Sequence, residues 1–378
     1  MKKKFLTCLL TAAMTAALLA GCGSKPAETP ADAKEPPAQQ EQTPEAPAAA
    51  EDPDGQKPEE QQEGNEGQTE EPEAAAGEKT GVTVRIGGLS GPTSMGLVKL
   101  MEDNEAGNTR NTYEFAELTT DPSAFVAPLA QGEIDIAAVP SNLASVIYNN
   151  TQGGVKLLAV NTLGVLSIVE RGDSIQSFED LKGKTIYATG QGATPEYTLR
   201  YLMQENGMDP DGDLTIQWCA DTTEALSYLT ADESAIAMLP QPFVTVAMGK
   251  VQGLRVALDL NDVWEELDNG CRLITGVLVV RSAFAEENPQ ALEAFMEEYE
   301  ASVSFVSQDA AHTAELIEKY GIVPAAVAEK ALPGCHLTFE KGAQMKASAS
   351  GYLKILFDQN PASVGGTMPG DDFYYGAE

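Results

Sequence analysis

The stretch T-L-G-V-L-S-I-V-E-R-G-D-S-I-Q-S-F-E-D-L-K-G-K, residues 162–184, decides the fold. Its first half, residues 164–170, is a short apolar and β-branched run without helical period, which predicts a buried strand. A second run of the same character, residues 275–281, follows about a hundred residues later. We predict that both runs cross between two lobes and lie side by side as a two-strand hinge. The residues between them then fold as an insert.

The first 21 residues have the layout of an export signal. Three lysines precede a largely apolar run over residues 5–20, which is shorter than a transmembrane helix and ends in small residues. Leu19-Ala20-Gly21-Cys22 resembles the lipobox of bacterial lipoproteins. The sequence therefore predicts a signal peptide over residues 1–21 and a lipid on Cys22, which would anchor the protein on the extracytoplasmic face of the cell membrane. The alternative is an ordinary secretory signal with an incidental cysteine.

Residues 22–80 have the composition of a disordered tether. From Gly23 to Thr80 there are nine prolines and sixteen acidic residues against four lysines, with no aromatic residue. Such a segment cannot bury enough apolar surface to offset its chain entropy, and as a coil it would reach about 40 Å. The chain carries a net charge of −33, of which −24 belongs to residues 81–378. This charge argues against nucleic acid and anionic lipid as partners.

Beyond the signal and Cys22, the cysteines are Cys219, Cys271 and Cys335. Three is an odd number, so at most one disulfide bond can form among them. An exported protein permits a bridge between Cys271 and Cys335, and buried reduced thiols are the alternative.

From residue 81 onward, strands alternate with helices, which predicts a mainly parallel α/β sheet. We predict that residues 81–166 and 278–378 form the first lobe and residues 167–277 the second. Asp121-Pro122 is expected to start a helix, and Asn288-Pro289 a long one in a helical tail that packs on the first lobe. The last stretch, residues 365–378, has no regular period and is predicted to be loosely attached. The predicted strands before the tail are residues 82–86, 112–118, 134–139, 155–160 and 185–188.

The two lobes can be superposed in sequence at an offset of 100 residues. Ile86 then falls on Ile186, and residues 136–140 (I-A-A-V-P) fall on residues 236–240 (I-A-M-L-P). This offset predicts two lobes with the same order of strands and helices.

Polar residues follow the carboxyl ends of the predicted strands, where open α/β sheets bind ligands and helix N-termini present free N–H groups. They are short or medium neutral side chains that hydrogen-bond with little loss of entropy. Pro140 is predicted to end the strand of residues 134–139, with Ser141 or Asn142 as the cap of the next helix, and Thr194 is predicted to cap the helix after residues 185–188. Ser94, Asn142 and Thr194 could therefore serve only as helix caps and not as ligand contacts. Tyr197 and Phe243 could stack on a heterocycle. The candidate ligand-binding residues are Ser90, Thr93, Ser94, Ser141, Asn142, Thr162, Gln191, Thr194, Tyr197, Gln241 and Phe243.

Enzyme signatures are weak in this chain. Residues 190–195 (G-Q-G-A-T-P) start like a dinucleotide-binding turn but carry proline at the third glycine position, and residues 87–91 lack the lysine of a P-loop. The two histidines, His312 and His336, both lie in the helical tail, so a histidine-based metal site or nucleophile pair is not expected. We therefore predict no catalytic residue, no metal and no cofactor.

Four segments carry a resemblance to known proteins: the lipobox, residues 132–137 (G-E-I-D-I-A), residues 177–186 (S-F-E-D-L-K-G-K-T-I) and residues 278–289 (L-V-V-R-S-A-F-A-E-E-N-P). Together they resemble the bacterial ABC-transporter solute-binding lipoproteins of the nitrate, sulfonate, taurine and thiamine-precursor type. The resemblance covers about residues 81–340 in addition to the lipobox. It implies a type II periplasmic-binding-protein fold, with two mainly parallel or mixed sheets, that closes on a small solute and delivers it to a membrane permease with a cytoplasmic ATPase.

The resemblance leaves the solute open. Proteins that bind amino-acid carboxylates place an arginine in the cleft, and none stands at the candidate positions. A small anion held by hydroxyls and helix N-termini, or a neutral heterocycle, fits these residues. Two other functions remain as alternatives, an enzyme of cofactor-precursor synthesis on the same fold and a lipid-anchored scaffold or adhesion protein. The protein is expected to act as a monomer.

Overall fold

A computed structural model of the protein describes residues 78–377. The predictions for the signal peptide, Cys22 and the tether as far as residue 77 lie outside the described residues. Lys79 and Thr80, at the end of the predicted tether, contact the folded chain. The Lys79 ammonium donates to the carbonyl oxygens of Gly107 and Thr109 at 2.7 and 2.5 Å, and the Thr80 hydroxyl donates to Asn111 Oδ1 at 2.6 Å.

Strands alternate with helices along most of the chain, as the sequence predicts. The strands are β1 (Thr83–Gly87), β2 (Thr112–Phe115), β3 (Ile136–Pro140), β4 (Val155–Leu163), β5 (Leu166–Arg171), β6 (Thr185–Ala188), β7 (Thr215–Trp218), β8 (Ile236–Pro240), β9 (Leu254–Asp259), β10 (Ile274–Arg281) and β11 (Leu337–Glu340).

The helices lie on both sheets and form the tail, and short 3₁₀ turns cover residues 122–125, 178–181, 332–335, 361–364 and 371–373. Among residues 78–377, no helix is long and apolar enough to cross a membrane. The helices are α1 (Pro92–Met95), α2 (Val98–Glu105), α3 (Val126–Gln131), α4 (Ser141–Thr151), α5 (Thr194–Glu205), α6 (Thr222–Ala231), α7 (Phe243–Lys250), α8 (Leu260–Glu265), α9 (Ser282–Glu287), α10 (Pro289–Gln308), α11 (Ala310–Lys319), α12 (Ala325–Ala331) and α13 (Gly342–Gln359).

The strands form two mixed sheets with the same wiring. The first has the order β11-β4-β10-β3-β1-β2, and the second has the order β7-β6-β8-β5-β9. Counted from β2, the first sheet has two parallel pairs followed by three antiparallel ones, and counted from β7, the second has two parallel pairs followed by two antiparallel ones. The register repeats as well, because Ile86 lies opposite Ile136 in the first sheet and Ile186 opposite Ile236 in the second. The predicted offset of 100 residues is therefore confirmed.

The prediction that residues 164–170 and 275–281 lie side by side is wrong. Strand β5 pairs with β8 and β9 in the second sheet, whereas β10 pairs with β3 and β4 in the first. The two runs occupy equivalent antiparallel positions in different sheets. Each is apolar because it is a central strand covered on both faces. Two segments still join the lobes, residues 164–165 between β4 and β5 and residues 266–273 between α8 and β10.

Two of the sequence segments that carry the resemblance have structural roles. In residues 132–137, Asp135 is 1% exposed and accepts from the guanidinium groups of Arg85 and Arg281, so it ties β1 and β10 to the start of β3. In residues 177–186, Ser177 and Asp180 form a capping box at the turn before β6. Gly183 has a φ of 74°, which favours glycine, and its N–H donates to the Asp213 carbonyl at 2.6 Å.

The helical tail packs on the first lobe as predicted and also reaches the second. Helix α10 packs on α2 through Ser302, whose hydroxyl accepts from the Leu100 N–H at 3.0 Å and donates to the Gly96 carbonyl at 2.7 Å. Helix α13 extends to α5, where the fully buried Tyr352 has its hydroxyl 3.4 Å from the Thr198 hydroxyl. The tail therefore contacts both lobes.

The C-terminal segment is firmly packed up to residue 377, which contradicts the predicted loose attachment. Phe373 is fully buried and its ring packs on Tyr148 and Tyr374. The Asn149 amide donates to the carbonyl oxygens of Val364 and Thr367, both at 2.8 Å. The segment consists of irregular turns, so the side chains that it buries do not recur at the spacing of a helix or a strand.

Candidate functional site

Helix α1 lies directly on the first sheet, beyond the carboxyl ends of its parallel strands. A Cβ atom placed on Gly276 in β10 would lie 2.3 Å from Thr93 Cγ2. A Cβ on Gly88, in the turn before α1, would lie 2.4 Å from Ser94 Oγ. Real Cβ atoms do not approach other atoms so closely, so Gly276 leaves room for Thr93 and Gly88 leaves room for the Ser94 hydroxyl in its present orientation. The two glycines therefore fix α1 at the place where open α/β sheets bind ligands.

The hydroxyl groups of Thr93 and Ser94 are buried without a bonding partner. The residues are 5% and 1% exposed, and neither hydroxyl has a hydrogen-bond partner within residues 78–377. Most buried polar groups in proteins are hydrogen-bonded, and leaving one unpaired costs about 1–3 kcal/mol. The hydroxyls of Thr93 and Ser94, two of the predicted ligand-binding residues, are therefore exceptions to this rule, and a bound ligand can explain them.

Asn161 supports this place from the end of β4. Its side-chain amide donates to the Thr93 carbonyl at 2.8 Å, and its Oδ1 accepts from the Thr162 hydroxyl at 3.1 Å. Both residues are essentially fully buried. Sequence reasoning selected Thr162 but missed Asn161. The available signal was an Asn-Thr pair at the end of an otherwise apolar strand.

Ser141 and Asn142 hold structural bonds instead of capping α4. The residue before this helix is Pro140, and Ser141 is already its first residue, so the prediction that Ser141 or Asn142 caps it is wrong. The Ser141 hydroxyl donates to the Ile274 carbonyl at 2.7 Å, and the Asn142 amide donates to the Ser363 carbonyl at 3.1 Å. Ser141 thereby ties α4 to the start of β10.

Ser90, Thr93, Ser94, Ser141 and Thr162 all lie at one end of the first sheet. Ser90 is half-buried, and its N–H donates to the Thr119 carbonyl at 2.8 Å. Thr162 lies opposite Gly276 in the β4–β10 ladder. The structure thus brings these five predicted residues to the same edge.

Gln191, Thr194 and Tyr197 lie at the start of α5 in the second lobe. Gln191 is exposed and Thr194 half-buried. The predicted cap at Thr194 is wrong, because α5 begins with this residue and its N-cap position is Ala193, without a side-chain cap among the described contacts.

The ring of Tyr197 is buried, and its hydroxyl is engaged on both sides. It donates to the Gly192 carbonyl at 2.9 Å and accepts from the Asn360 amide at 2.7 Å. A cavity of about 470 Å³ opens beside it and is lined by Gly192, Glu196, Tyr197, Arg200, Gln204, Gln359 and Asn360. Of the predicted residues, Tyr197 lines this cavity. Its stacking on a ligand stays a prediction.

Gln241 and Phe243 lie where β8 leads into α7. Gln241 is 9% exposed, and its side-chain oxygen accepts from the Thr245 hydroxyl at 2.9 Å. A Cβ on Gly334 of the tail would lie 2.9 Å from the Gln241 amide nitrogen, so this side chain packs on the tail. Phe243 is half-buried against the core of the second lobe.

The described chain offers no activated thiol. The cysteines of the described chain are all free thiols: Cys219, Cys271 and Cys335. The structure therefore has the reduced cysteines of the second alternative and no bridge between Cys271 and Cys335. Burial raises the pKa of Cys271 to about 11 and that of Cys335 to about 12. Both thiols are therefore protonated at neutral pH and poor nucleophiles.

Comparison with known proteins adds a family and a fold. A family model described as NMT1/THI5 like matches residues 119–312. An ABC transporter from Parabacteroides distasonis is similar in structure, with a TM-score of 0.65 and 22% identity, over 78% of this chain and 98% of that one. The periplasmic aliphatic sulphonate binding protein SsuA from Escherichia coli has a TM-score of 0.60 and 17% identity, over 74% and 88%.

A third similar structure is the alkanesulfonate-binding protein SsuA from Xanthomonas axonopodis pv. citri bound to MOPS. Its TM-score is 0.54 at 16% identity, over 76% of this chain and 95% of that one. No curated protein matches the sequence. The structural likeness, with the two mixed sheets, confirms the predicted two-lobed type II periplasmic-binding-protein fold.

Proposed function

The chain belongs to the NMT1/THI5-like family, and from this premise we propose that it is the substrate-binding lipoprotein of an ABC importer. It captures a small solute between a first lobe built on the sheet of β1–β4, β10 and β11 and a second lobe built on the sheet of β5–β9, which moves the predicted boundaries at residues 166 and 278 to the ends of these strands. The solute stabilises the closed arrangement because it contacts both lobes and has higher affinity for that state. The protein then delivers the solute to a permease that works with an ATPase. The resemblance of the sequence and the fold of SsuA support this proposal.

The observation that carries the proposal is the pair of unpartnered hydroxyls on α1. Thr93 and Ser94 lie on a helix fixed by Gly276 and Gly88, and Asn161 holds the Thr93 carbonyl from below. The two hydroxyls are buried and free to bond. A solute that accepts or donates two hydrogen bonds here offsets the cost of burying them.

The chemistry of these residues limits the solute. Hydroxyls both donate and accept hydrogen bonds, so they suit a sulfonate-, nitrate- or taurine-like anion and a thiamine-precursor-like heterocycle. Gln191, Thr194, Gln241 and Phe243 are the candidate contacts from the second lobe. The rings of Phe243 and of Tyr197, whose hydroxyl is bonded to the tail, are the candidate stacking surfaces for a heterocycle.

A thermal-shift screen with sulfonates, nitrate, taurine, pyrimidines, amino acids and oligopeptides tests the proposal. A solute at 100 times its dissociation constant should stabilise the protein by about 2.7 kcal/mol. The substitutions Thr93→Val and Ser94→Ala should each weaken binding of that solute by about 5- to 30-fold, because each removes a bond worth about 1–2 kcal/mol. Neither should destabilise the free protein, since neither hydroxyl bonds to it.

Thr313→Val is the matched control. Thr313 in α11 is fully buried, and its hydroxyl also lacks a partner within the described residues. Its replacement should affect the stability of the free protein as Thr93→Val does but leave solute binding unchanged. Equal binding by wild type, Thr93→Val and Ser94→Ala would place the solute elsewhere. Turnover of the bound compound would favour an enzyme, and a screen without any response would favour a scaffold.

The lipid anchor requires its own test. Cys22→Ser should release the exported protein from the membrane fraction, because the lipid on Cys22 is the proposed anchor. A control with Cys335→Ser should stay in the membrane fraction. Unchanged membrane association of Cys22→Ser would refute the anchor and leave the solute proposal untouched.

A further inference from the structure

Three potential metal ligands meet where the two lobes join. Asp259 ends β9 and Asp262 lies in α8, both in the second lobe, while His336 precedes β11 in the first. One ligand atom from each lies within 4.8 Å of the others. His336 Nε2 is 3.8 Å from Asp259 Oδ2. Both side chains are about one-fifth exposed, so solvent can reach them.

The ring of His336 is held in the orientation of a metal ligand. Its Nδ1 lies 2.6 Å from the Gly164 carbonyl, which can only accept, so Nδ1 carries the proton. In the neutral ring, Nε2 then presents its lone pair to the Asp259 carboxylate. Histidine ligands commonly donate their second ring N–H to a carbonyl or carboxylate in this way.

Two electron-pair donors face each other across a gap that a cation fits. The 3.8 Å separation is too long for a hydrogen bond between Nε2 and Oδ2. With metal–ligand distances of about 2.0–2.2 Å, a tetrahedral zinc ion separates its ligand atoms by about 3.4 Å. A shift of several tenths of an ångström in Asp259 and a somewhat larger one in the exposed Asp262 would complete the geometry.

We propose that Asp259, Asp262 and His336 form a site for a divalent transition metal such as Zn²⁺, with water as the fourth ligand. One imidazole and two carboxylates are ligands of this metal class, whereas Mg²⁺ and Ca²⁺ prefer oxygen alone. The site bridges the lobes next to residues 164–165, where the chain crosses between them. The Gly164 N–H also donates to Asn261 Oδ1 at 3.2 Å, so the ligands and the crossing form one connected unit.

Isothermal titration of the full-length protein with Zn²⁺, in the absence of any solute, tests this site. We expect one ion per chain, and at least about tenfold weaker binding in His336→Gln and Asp262→Asn. Asp262 is exposed, so its variant should fold normally, and thermal unfolding of each variant checks this. His312→Gln is the matched control, because His312 is the other histidine and pairs with Glu102 at 3.0 Å.

The proposal stands if the control binds Zn²⁺ like wild type while the two site variants do not. It is overturned if His336→Gln and Asp262→Asn both bind Zn²⁺ as tightly as wild type, or if the control loses as much affinity as they do. Titration with Mg²⁺ should give no comparable binding. Because no solute is present, the result does not depend on the proposed transport function.

Discussion

Replacing Gly276 with alanine tests how α1 is fixed on the first sheet. The new Cβ would lie 2.3 Å from Thr93 Cγ2, 2.9 Å from Asn161 Oδ1 and 3.1 Å from Thr162 Cβ. Carbon atoms in contact are best separated by about 3.5–4.0 Å, so Thr93 has to change its rotamer, α1 has to move by more than 1 Å, or the strand has to bend. The same movement would displace the two unpartnered hydroxyls of the candidate site.

The size of the effect follows from two opposing contributions. Overpacking of a tightly packed site lowers the free energy of unfolding by about 1–3 kcal/mol. Alanine has less conformational entropy than glycine in the unfolded chain, which raises the free energy of unfolding by about 0.4–1 kcal/mol. The difference spans about 0–2.6 kcal/mol, and a Cβ placed only 2.3 Å from its neighbour puts the net destabilisation in the upper part of that range, at about 1–2.5 kcal/mol. In a protein of this size that lowers the melting temperature by about 2–4 °C per kcal/mol.

A double-mutant cycle read by thermal unfolding separates the clash from other effects. Thr93→Ser removes the clashing methyl and alone costs about 1 kcal/mol. In the double variant the methyl is absent, so its loss of stability should be at least about 1 kcal/mol smaller than the sum of the losses of the two single variants. Gly91→Ala is the control, because a Cβ there meets nothing within 4 Å and its φ of 177° suits any residue. Full stability of Gly276→Ala, or strict additivity in the cycle, would refute the described packing of α1.

Three further predictions concern the rest of the fold. Phe373→Ala should cost about 3–5 kcal/mol in thermal unfolding because the ring is fully buried. Asp371→Ala should have little effect because that side chain is 92% exposed, and equal effects of the two variants would contradict the packed C-terminal segment. Asp135→Asn should lower stability by about 2–4 kcal/mol because two guanidinium groups lose their buried carboxylate, and Asp211→Asn, whose side chain is 81% exposed, should have little effect. Cys335 should resist iodoacetamide at pH 8 in the native protein, because burial raises its pKa to about 12, and should react in denaturant; peptide mapping that finds native labelling would contradict its burial.

Local sequence patterns predicted most of the strands and helices. Short β-branched runs identified β3, β4, β6 and β10, and Pro140 correctly marked the end of β3. These signals are local, because side-chain period and proline geometry act within a few residues. The similarity of the two halves at an offset of 100 residues also predicted the topology, because two lobes of similar sequence are expected to have the same order of strands.

Pairing and side-chain bonding could not be predicted in the same way. Whether β5 lies beside β10 or β8 depends on contacts between residues far apart in the chain. The Ser141 hydroxyl bonds to the Ile274 carbonyl, 133 residues away, so its residue type alone suggested a helix cap. The aromatic side chains of residues 373–375 lack a period but find a buried place beside Tyr148. For the candidate site, residue types pointed to the correct sheet edge, while the supporting role of Asn161 needed the structure.

Strand β10 follows the second lobe in sequence but pairs within the first sheet, and this has a consequence for biosynthesis. Strand β10 lies between β3 and β4, so the first sheet has a gap until residue 281 has been synthesised. A nascent chain that ends before this point cannot close its first hydrophobic layer, and the contacts that do so span more than a hundred residues. Proteins dominated by such non-local pairing fold slowly. The topology thus leaves the first sheet incomplete until most of the polypeptide has been synthesised.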